Sequence, residues 1–403
     1  MLIRFSFKNF KSFKNENCLD MEATSLKEHE YNVAKVDNGE YLKVSAIYGA
    51  NASGKTNVLQ AFDYMKKRIL VSDDSKKNSP IDEENVYSFM INNDPIALEV
   101  EILAKNNKIY KYGFEVLKDK INSEWLFEKR VNKFYSIFER NNNSIKMIKD
   151  NKLSKLVNID ESTLFLNLYS KIDKDNEDFN NVYDWFITTT YLDLGNPGFE
   201  NMINNRISQR IISDSDYREE LKRFIKTFDS GIEEIKTNPD SIEAAKNNNG
   251  IIDIEVIHKG ENGELKALPF YLESNGTRKM FHLFDFFMNA LKYGLVLFVD
   301  ELDAKLHPLL TRYIINLFHN SETNKGNGQL IYSTHDTVNL NKDTFRRDEI
   351  WFAEKDKDGV SKIYSLSDYK INDTKVRNDA TYNKDYLSGR YGAIPVLEDF
   401  NIV

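Results

Sequence analysis

The chain has 403 residues, of which 41% are hydrophobic and 29% are charged, and its formal net charge is -8 at pH 7. This length suits one elaborated domain or two, and the composition excludes a disordered chain. The acidic balance gives no support to nucleic-acid binding, although a local basic patch stays compatible with it. The single cysteine, Cys18, excludes an intramolecular disulfide and a cysteine-based zinc site, so a reducing cytoplasm fits best.

No segment has the character of a membrane span or a secretion signal. The longest apolar stretch near a motif covers residues 294–299, far short of the roughly 20 residues that cross a bilayer. The first residues alternate between apolar and polar side chains and lack the basic and apolar regions of a signal peptide. We therefore expect a cytoplasmic protein with no membrane partner.

The first third of the chain has a β-rich pattern with one helix. Residues 2–10 alternate apolar and polar side chains and residues 42–48 are β-rich, which predicts strands. A helix with apolar residues spaced by three and four follows residue 56. Short β-patterned runs between residues 97 and 138 predict an antiparallel meander.

The pattern then becomes helical and returns to β-structure. Residues 150–228 are charge-rich with helical spacing, but they contain no sustained heptad repeat, which argues against a long coiled coil. Strands at residues 251–257 and 265–271 are bracketed by Asn- and Gly-rich turns and predict a hairpin.

Residues 49–56 read Gly-Ala-Asn-Ala-Ser-Gly-Lys-Thr and match the phosphate-loop pattern at every fixed position. The predicted strand before them and helix after them favour this interpretation over a chance match in a turn. Glycines let the backbone wrap around phosphates, which the amides at a helix start attract. Lys55 can neutralise the β- and γ-phosphates, and the Thr56 hydroxyl can bind Mg²⁺. The candidate nucleotide-binding residues of this loop are Gly49, Asn51, Ala52, Ser53, Gly54, Lys55 and Thr56.

Residues 295–301 form a continuous apolar run that ends in Asp300 and Glu301. Such a run is typical of a buried parallel strand whose carboxyl end meets a ligand. Alone it also suits a core strand that ends at an acidic loop, but beside a phosphate loop it is similar to a Walker B strand. Asp300 is then the candidate Mg²⁺ ligand, and Glu301 is the candidate general base for the attacking water.

Two further stretches are ambiguous when taken alone. Residues 330–336 form a β-rich run that contains His335, and a lone histidine after a strand is usually structural. Residues 272–279 open a predicted helix 26 residues before Asp300 and contain Ser274 and Gly276. A serine hydroxyl and glycine amides at a helix start form an anion site, although serine is also a favoured N-cap.

Taken in order, the phosphate loop, the Ser274 stretch, the two acids and the histidine resemble the ABC-type ATPase superfamily. The N-terminal residues 3–13 are similar to the first strand of its RecF and SMC branch. The end of the chain is similar to the bacterial AAA-family ATPases of abortive-infection and related anti-phage modules, through residues 303–308, 350–356, 365–369 and 386–395. The resemblance covers both terminal thirds of the chain and fades over the helical region between them.

The resemblance implies an α/β fold: an ABC-ATPase head with a central mixed or parallel sheet, an antiparallel β-subdomain, an inserted helical region and no long coiled coil. We expect an ATP-binding lobe with the phosphate loop and the meander at residues 1–150, a helical insert at 151–245, and the signature, Walker B and histidine lobe with the C-terminal tail at 246–403. Two such heads would enclose ATP and Mg²⁺ as a homodimer or higher homo-oligomer.

The resemblance also assigns roles to individual residues. Ser274 and Gly276 correspond to the signature motif and would contact the nucleotide of the opposite head. His335 corresponds to the switch histidine that contacts the γ-phosphate, and Asp303 would lie in the loop that couples the two sites. One departure is that residues 86–90, where a Q-loop glutamine is expected, contain none.

Three functions are compatible with these observations. The first is an ATPase that acts as sensor or motor of a defence module, with a separate nuclease or toxin as effector. The second is a RecF-like DNA-repair ATPase, which leaves nucleic acid open as a partner and is weakened by the net charge of -8. The third is a nucleotide-gated scaffold that sequesters its partner. The sequence shows no effector chemistry of its own, such as an acidic nuclease centre.

Overall fold

The computed structural model describes residues 1–70, 94–142, 144–147, 159–204, 208, 210–237, 253–371 and 373–395. The strands before residue 150 are β1 Leu2–Lys8, β2 Asn17–Asp20, β3 Val33–Val36, β4 Gly39–Leu42, β5 Val44–Tyr48, β6 Ile96–Leu103, β7 Ile109–Leu117, β8 Lys120–Arg130, β9 Lys133–Asn141 and β10 Ser144–Met147. The later strands are β11 Thr190–Asp193, β12 Ile232–Thr237, β13 Ile254–Lys259, β14 Leu265–Pro269, β15 Val296–Asp300, β16 Gln329–Ser333, β17 Ile350–Lys355, β18 Ser361–Ser365, β19 Lys370–Ile371 and β20 Thr374–Lys375. The helices are α1 Lys55–Leu70, α2 Phe165–Ile172, α3 Glu177–Thr188, α4 Pro197–Asn204, α5 Arg210–Ser213, α6 Ser215–Lys226, α7 Asn275–Tyr293, α8 Pro308–His319 and α9 Tyr382–Leu387.

A six-stranded sheet in the order β11-β15-β16-β5-β17-β18 lies at the centre of the fold. Its first five strands are parallel, and β18 is antiparallel to β17. Every residue of β5, β15 and β16 is buried, as expected for apolar runs that are covered on both faces. The carboxyl ends of β5, β15 and β16 therefore lie side by side, and each is followed by a stretch that the sequence analysis singled out.

The two faces of the central sheet belong to different hydrophobic cores. On one face α1 packs with α2 and α3, and Phe62 of α1 stacks on Phe298 of β15 with ring centroids 3.9 Å apart. On the other face α6, α7 and α8 cover alternate residues of the same strand, Leu297 and Val299. This alternation follows from the two-residue period of a strand.

A seven-stranded sheet in the order β10-β9-β8-β7-β6-β1-β2 covers the far side of α1. All of its pairings are antiparallel, which confirms the predicted meander. Phe5 of β1 meets Phe62 of α1 edge-on, with ring centroids 5.7 Å apart. The helix that follows the phosphate loop is thus held between the two sheets.

The predicted α/β fold with a mixed central sheet and an antiparallel subdomain is confirmed. The hairpin is confirmed by β13 and β14, which pair antiparallel beside β12. Among the described residues the longest helix is α7, with 19 residues, so this part of the chain contains no long coiled coil, as predicted. In the described part of the chain no helix is long and apolar enough to cross a membrane.

The helix-rich middle of the chain also supplies a strand that the sequence analysis did not anticipate. β11 is only four residues long, and it pairs parallel with β15 at the edge of the central sheet. The boundaries predicted at residues 150 and 245 lie in or next to ranges outside the described residues. The three-part division of the chain stays a prediction.

Candidate functional site

The phosphate loop connects the end of β5 to the start of α1 and leaves no room for side chains at its glycines. A Cβ on Gly49 would lie 2.4 Å from the Ala353 carbonyl oxygen and 2.6 Å from Ser53 Oγ. Gly54 has φ +110°, and a Cβ there would lie 2.9 Å from Ser361 Oγ. Both positions therefore require glycine. Asn51 and Ala52 form the exposed crest of the loop.

Lys55 is folded back over the phosphate loop. Its ammonium group donates to the carbonyl oxygens of Gly49, at 2.9 Å, and Ala50, at 3.0 Å, and the residue is only 5% exposed. Burial lowers the pKa of Lys55 to about 8, and the neighbouring carboxylates of Asp300 and Glu301 oppose this shift. A cation held in this way is poorly solvated and would gain from an anion at the loop.

Ser53 adds a second sign that the loop is built for a ligand. Its side chain is buried, and its Oγ has no hydrogen-bond partner among the described residues. Buried hydroxyls are normally hydrogen-bonded, because leaving one unsatisfied costs free energy. An anion bound over the loop would supply the missing acceptor.

Asp300 lies at the carboxyl end of β15 beside the phosphate loop. The residue is 2% exposed, and burial raises the pKa of its carboxyl group, while hydrogen bonds from Ser333 and Thr56 lower it. Ser333 Oγ also accepts the Glu301 backbone N–H at 2.8 Å. The structure thus brings Thr56 and Asp300, the two candidate Mg²⁺ ligands, into direct contact.

Glu301 has an unusual backbone conformation for its residue type. Its φ is +51°, in the left-handed region that few non-glycine residues adopt. Its carboxylate packs against Gly195, where a Cβ would lie 2.5 Å from Glu301 Oε2. Backbone conformations of this kind often occur at functional sites, and the catalytic role of Glu301 stays a prediction.

The end of β11 supplies site residues that the sequence analysis missed. Asp193 is the register partner of Asp300 across the parallel pair, and the Leu194 N–H donates to the Asp300 carbonyl oxygen at 3.1 Å. Burial raises the pKa of Asp193, and the nearby Asp300 charge raises it further, while hydrogen bonds from Asn196 lower it. The β-rich run at residues 188–193, which ends in an acid before a Gly-Asn-Pro-Gly turn, was the available signal.

Residues 86–90, where a Q-loop glutamine is expected, lie outside the described residues. In the structure β15 lies between β16 and β11, β11 ends at Asp193, and Asn196 lies in the connection from β11 to α4. These two residues therefore lie beside the acids, on the side of the site away from β16.

His335 follows β16 and is joined to the loop after β15. Its backbone N–H lies 3.3 and 3.4 Å from the two carboxylate oxygens of Asp303. Burial lowers the pKa of His335, and the positive charge of Lys55 lowers it further. The phosphate loop, both acids, Asp303 and His335 thus lie within electrostatic reach of one another at one edge of the sheet.

Ser274 lies at the start of α7, and its structural role as a helix cap is fulfilled. Its Oγ accepts the Thr277 N–H at 3.0 Å and lies 2.8 Å from Thr277 Oγ1, which contacts Asp229 at 3.2 Å. Ser274 is nevertheless exposed. A Cβ on Gly276 would meet only ordinary contacts, at 3.8 Å or beyond, so packing within the chain does not explain glycine at this position.

The loop after β15 also contacts the start of α7. Lys279 Nζ donates to the Ala304 carbonyl oxygen. The same loop therefore contacts both the helix that carries Ser274 and, through Asp303, the backbone of His335.

The residues present fit a nucleoside triphosphate with Mg²⁺. The unsatisfied Ser53 hydroxyl and the desolvated Lys55 cation are suited to phosphate oxygens. The hydroxyl of Thr56 and the carboxylate of Asp300 are hard oxygen donors, as Mg²⁺ prefers, and phosphates and water complete such a shell. Their roles stay predictions.

A family model described as "AAA domain, putative AbiEii toxin, Type IV TA system" matches residues 44–341. This range begins with β5 and includes the phosphate loop, the start of α7, both acids and His335. The chain belongs to this family of AAA domains. No curated protein matches this AAA-domain chain.

Solved structures similar to this AAA domain include an SMC head and RecF. The SmcHead bound to the C-winged helix domain of ScpA is 15% identical, with 90% of this chain and 97% of that chain covered and a TM-score of 0.46. The recombination mediator protein RecF with ATPrS is 13% identical, with 90% and 98% covered and a TM-score of 0.37. RecF with ATP is 15% identical, with 90% and 97% covered and a TM-score of 0.36.

Proposed function

We propose that this chain hydrolyses ATP with Mg²⁺ at sites shared between two copies, as the sensor or motor ATPase of an anti-phage defence module. The proposal of ATP hydrolysis rests on Lys55, whose buried ammonium group has a pKa of about 8 and lies near three carboxylates. Such a group is costly in the free protein and is stabilised by a triphosphate. The costly arrangement is therefore explained by a phosphate-binding role.

Each residue near Lys55 has a proposed part in hydrolysis. Mg²⁺ held by Thr56 and Asp300 would neutralise charge on the β- and γ-phosphates. Glu301 would accept the proton of the attacking water, and His335 would hydrogen-bond the γ-phosphate and register its loss. Asp193 and Asn196 would orient water from the β11 side, in place of the absent glutamine.

The pairing of two copies is supported by the exposed surface at the start of α7. Ser274 is exposed, and Gly276 has room for a larger side chain. Large apolar side chains lie exposed near the same loops, at Tyr271 (70%), Leu272 (59%) and Leu309 (60%). A second head that covered them would remove apolar surface from water and bring Ser274 to the opposite nucleotide.

The defence assignment is supported by the similarity of the C-terminal tail to ATPases of such modules and by the family description, which names the AbiEii toxin and a Type IV TA system. Cleavage or killing is assigned to a separate nuclease or toxin, because the sequence contains no recognisable effector centre. Under this proposal the chain supplies ATP-dependent control, and its partner supplies the effector chemistry.

The catalytic proposal is tested with Glu301→Gln and a matched control, Glu139→Gln, whose side chain is exposed on β9. The glutamine amide cannot accept the water proton, so ATP turnover should fall to background while ATP binding persists. Phosphate release and solution mass with ATP are the measurements, and the variant should accumulate as a nucleotide-bound dimer. Turnover near that of the control would overturn the assignment of Glu301.

A further inference from the structure

A groove of about 720 Å³ lies between α6, α7 and α8, at the end of α7 away from Ser274. The second half of α7 forms one wall, about 15 to 27 Å along the helix from Ser274 at ~1.5 Å per residue. The residues that line its floor are Phe224, Phe284, Met288, Leu291, Tyr313 and Leu317. The proposed nucleotide site uses none of these side chains.

The floor of the groove is apolar and partly open to solvent. Phe224 lies 5.2 Å from Phe284 and 6.0 Å from Tyr313 between ring centroids, so the aromatic residues form one cluster. Met288, Tyr313 and Leu317 are only partly buried. Aromatic residues and methionine are enriched where proteins bind one another, and methionine adapts to irregular partners.

The walls of the groove are fixed by backbone contacts. The Gly326 N–H donates to the Leu291 carbonyl oxygen at 2.8 Å, which joins the loop after α8 to the end of α7. Thr323 Oγ1 donates to the Leu317 carbonyl oxygen at 2.6 Å. A preformed surface of this kind loses little conformational entropy when a partner binds.

The rim of the groove is mainly basic in a chain whose net charge is -8. Arg223, Lys292 and Lys325 are exposed, and none of them forms a salt bridge with another described residue. Arg210 also lies at the rim, where it pairs with Asp214 at 3.2 Å. Two carboxylates, Glu220 and Glu322, are the acidic residues of the lining.

We propose that this groove is the docking site for an amphipathic helix of a partner protein that carries acidic residues around an apolar stripe. The apolar floor would take residues spaced by three and four along the helix. The exposed cations of the rim would meet its carboxylates and steer its approach. The apolar floor favours a protein helix over a nucleic acid, because the phosphate backbone has no apolar stripe to bury there.

Site-specific photocrosslinking in the native host tests this proposal on the full chain. Lys325→p-benzoylphenylalanine places the probe on the exposed rim, and Met288→p-benzoylphenylalanine places it on the floor. Val131→p-benzoylphenylalanine, at a side chain that is 93% exposed in the turn between β8 and β9, is the matched control. The expected product at both groove positions, and not at the control, is a protein crosslinked through an amphipathic segment of net negative charge.

Other products would overturn the proposal. The groove would have a different use if the crosslinked product were a second copy of this chain or a nucleic acid. No product above the control would show that no partner occupies the groove. Because the readout needs no ATP, it is independent of the proposed hydrolysis.

Charge reversal provides a second test of the same surface. Arg223→Glu with Lys292→Glu should lower the crosslink yield from position 325 at least about tenfold, because like charges then face each other. Lys118→Glu with Lys133→Glu, two exposed residues of the seven-stranded sheet region, is the matched control. Thermal unfolding is measured for both pairs to show that the fold is retained. An unchanged yield in the groove pair would contradict the role of the basic rim.

Discussion

ATP binding should take up a proton at Lys55, and the pH range in which this occurs follows from the structure. Burial lowers the pKa of Lys55 from 10.5 to about 8. A bound triphosphate would favour the charged ammonium and raise the pKa again. The pH is therefore varied from 7 to 9, which lies on both sides of the pKa of Lys55 in the free protein.

The magnitude follows from the titration of this single group. With a pKa of about 8, the lysine is charged in about nine tenths of molecules at pH 7 and in about one tenth at pH 9. ATP binding should then take up about 0.5 proton per site at pH 8, and the affinity should fall about tenfold, or ~1.4 kcal/mol, between pH 7 and pH 9. Burial lowers the pKa of His335 below its usual value, so the neutral form of that histidine predominates in the free protein over this range.

Calorimetry with Mg²⁺ and a non-hydrolysable ATP analogue measures both quantities. Binding heats in two buffers of different ionisation enthalpy give the proton uptake, and titrations at pH 7, 8 and 9 give the affinity. The Lys55→Arg variant is the control, because a guanidinium stays charged across the range and should bind without proton uptake. Equal binding heats in both buffers at pH 8, with an affinity that does not change from pH 7 to pH 9, would contradict proton uptake at Lys55.

Three further predictions concern the same site. Lys55→Met should abolish ATP binding yet raise the free energy of unfolding of the free protein by roughly 1–3 kcal/mol below pH 8, because burial penalises the charged lysine there. This gain in stability should vanish as the pH approaches 10.5, and denaturant unfolding at several pH values measures it. If the Asp193 carboxylate orients water, Asp193→Asn should lower ATP turnover about tenfold or more at an unchanged ATP affinity, as measured by phosphate release and calorimetry. Turnover equal to that of the wild type would remove Asp193 from the proposed site. Gly54→Ala should lose nucleotide binding and about 1–3 kcal/mol of stability, since φ is +110° and a Cβ would lie 2.9 Å from Ser361 Oγ. A calorimetric binding curve and a melting temperature like those of the wild type would contradict this prediction.

The sequence predicted the elements whose signals are local. The apolar run before Asp300 could only be a strand buried on both faces, and the glycines at 49 and 54 marked a loop that side chains would obstruct. The sequence also showed β-rich runs at residues 42–48, 295–301 and 330–336, and the family resemblance implied a central mixed or parallel sheet. In the structure these segments form β5, β15 and β16, and both pairings among them, β15 with β16 and β16 with β5, are parallel.

Contacts between distant segments could not be predicted in this way. β11 has four residues within a helix-rich region, and its place in the sheet depends on pairing with β15 about a hundred residues later. For that reason Asp193 was missed although a strand pattern precedes it. The Lys279 contact with the Ala304 carbonyl oxygen is another example, because the sequence stretches that contain the two residues do not specify this contact and only the packing of α7 brings them together.

In the proposed mechanism each ATP site combines the phosphate loop of one chain with Ser274 of another. The most direct measurement is ATP turnover by two purified heterodimers, one of Lys55→Ala with Ser274→Arg chains and one of wild-type with doubly substituted chains. If each site is built from both chains, the first heterodimer keeps one intact site, so about half of the wild-type turnover should remain. In the second heterodimer each site carries one defect, so no turnover should remain. The reverse pattern, with no turnover in the first heterodimer and about half in the second, would place Ser274 in the site of its own chain and contradict the account.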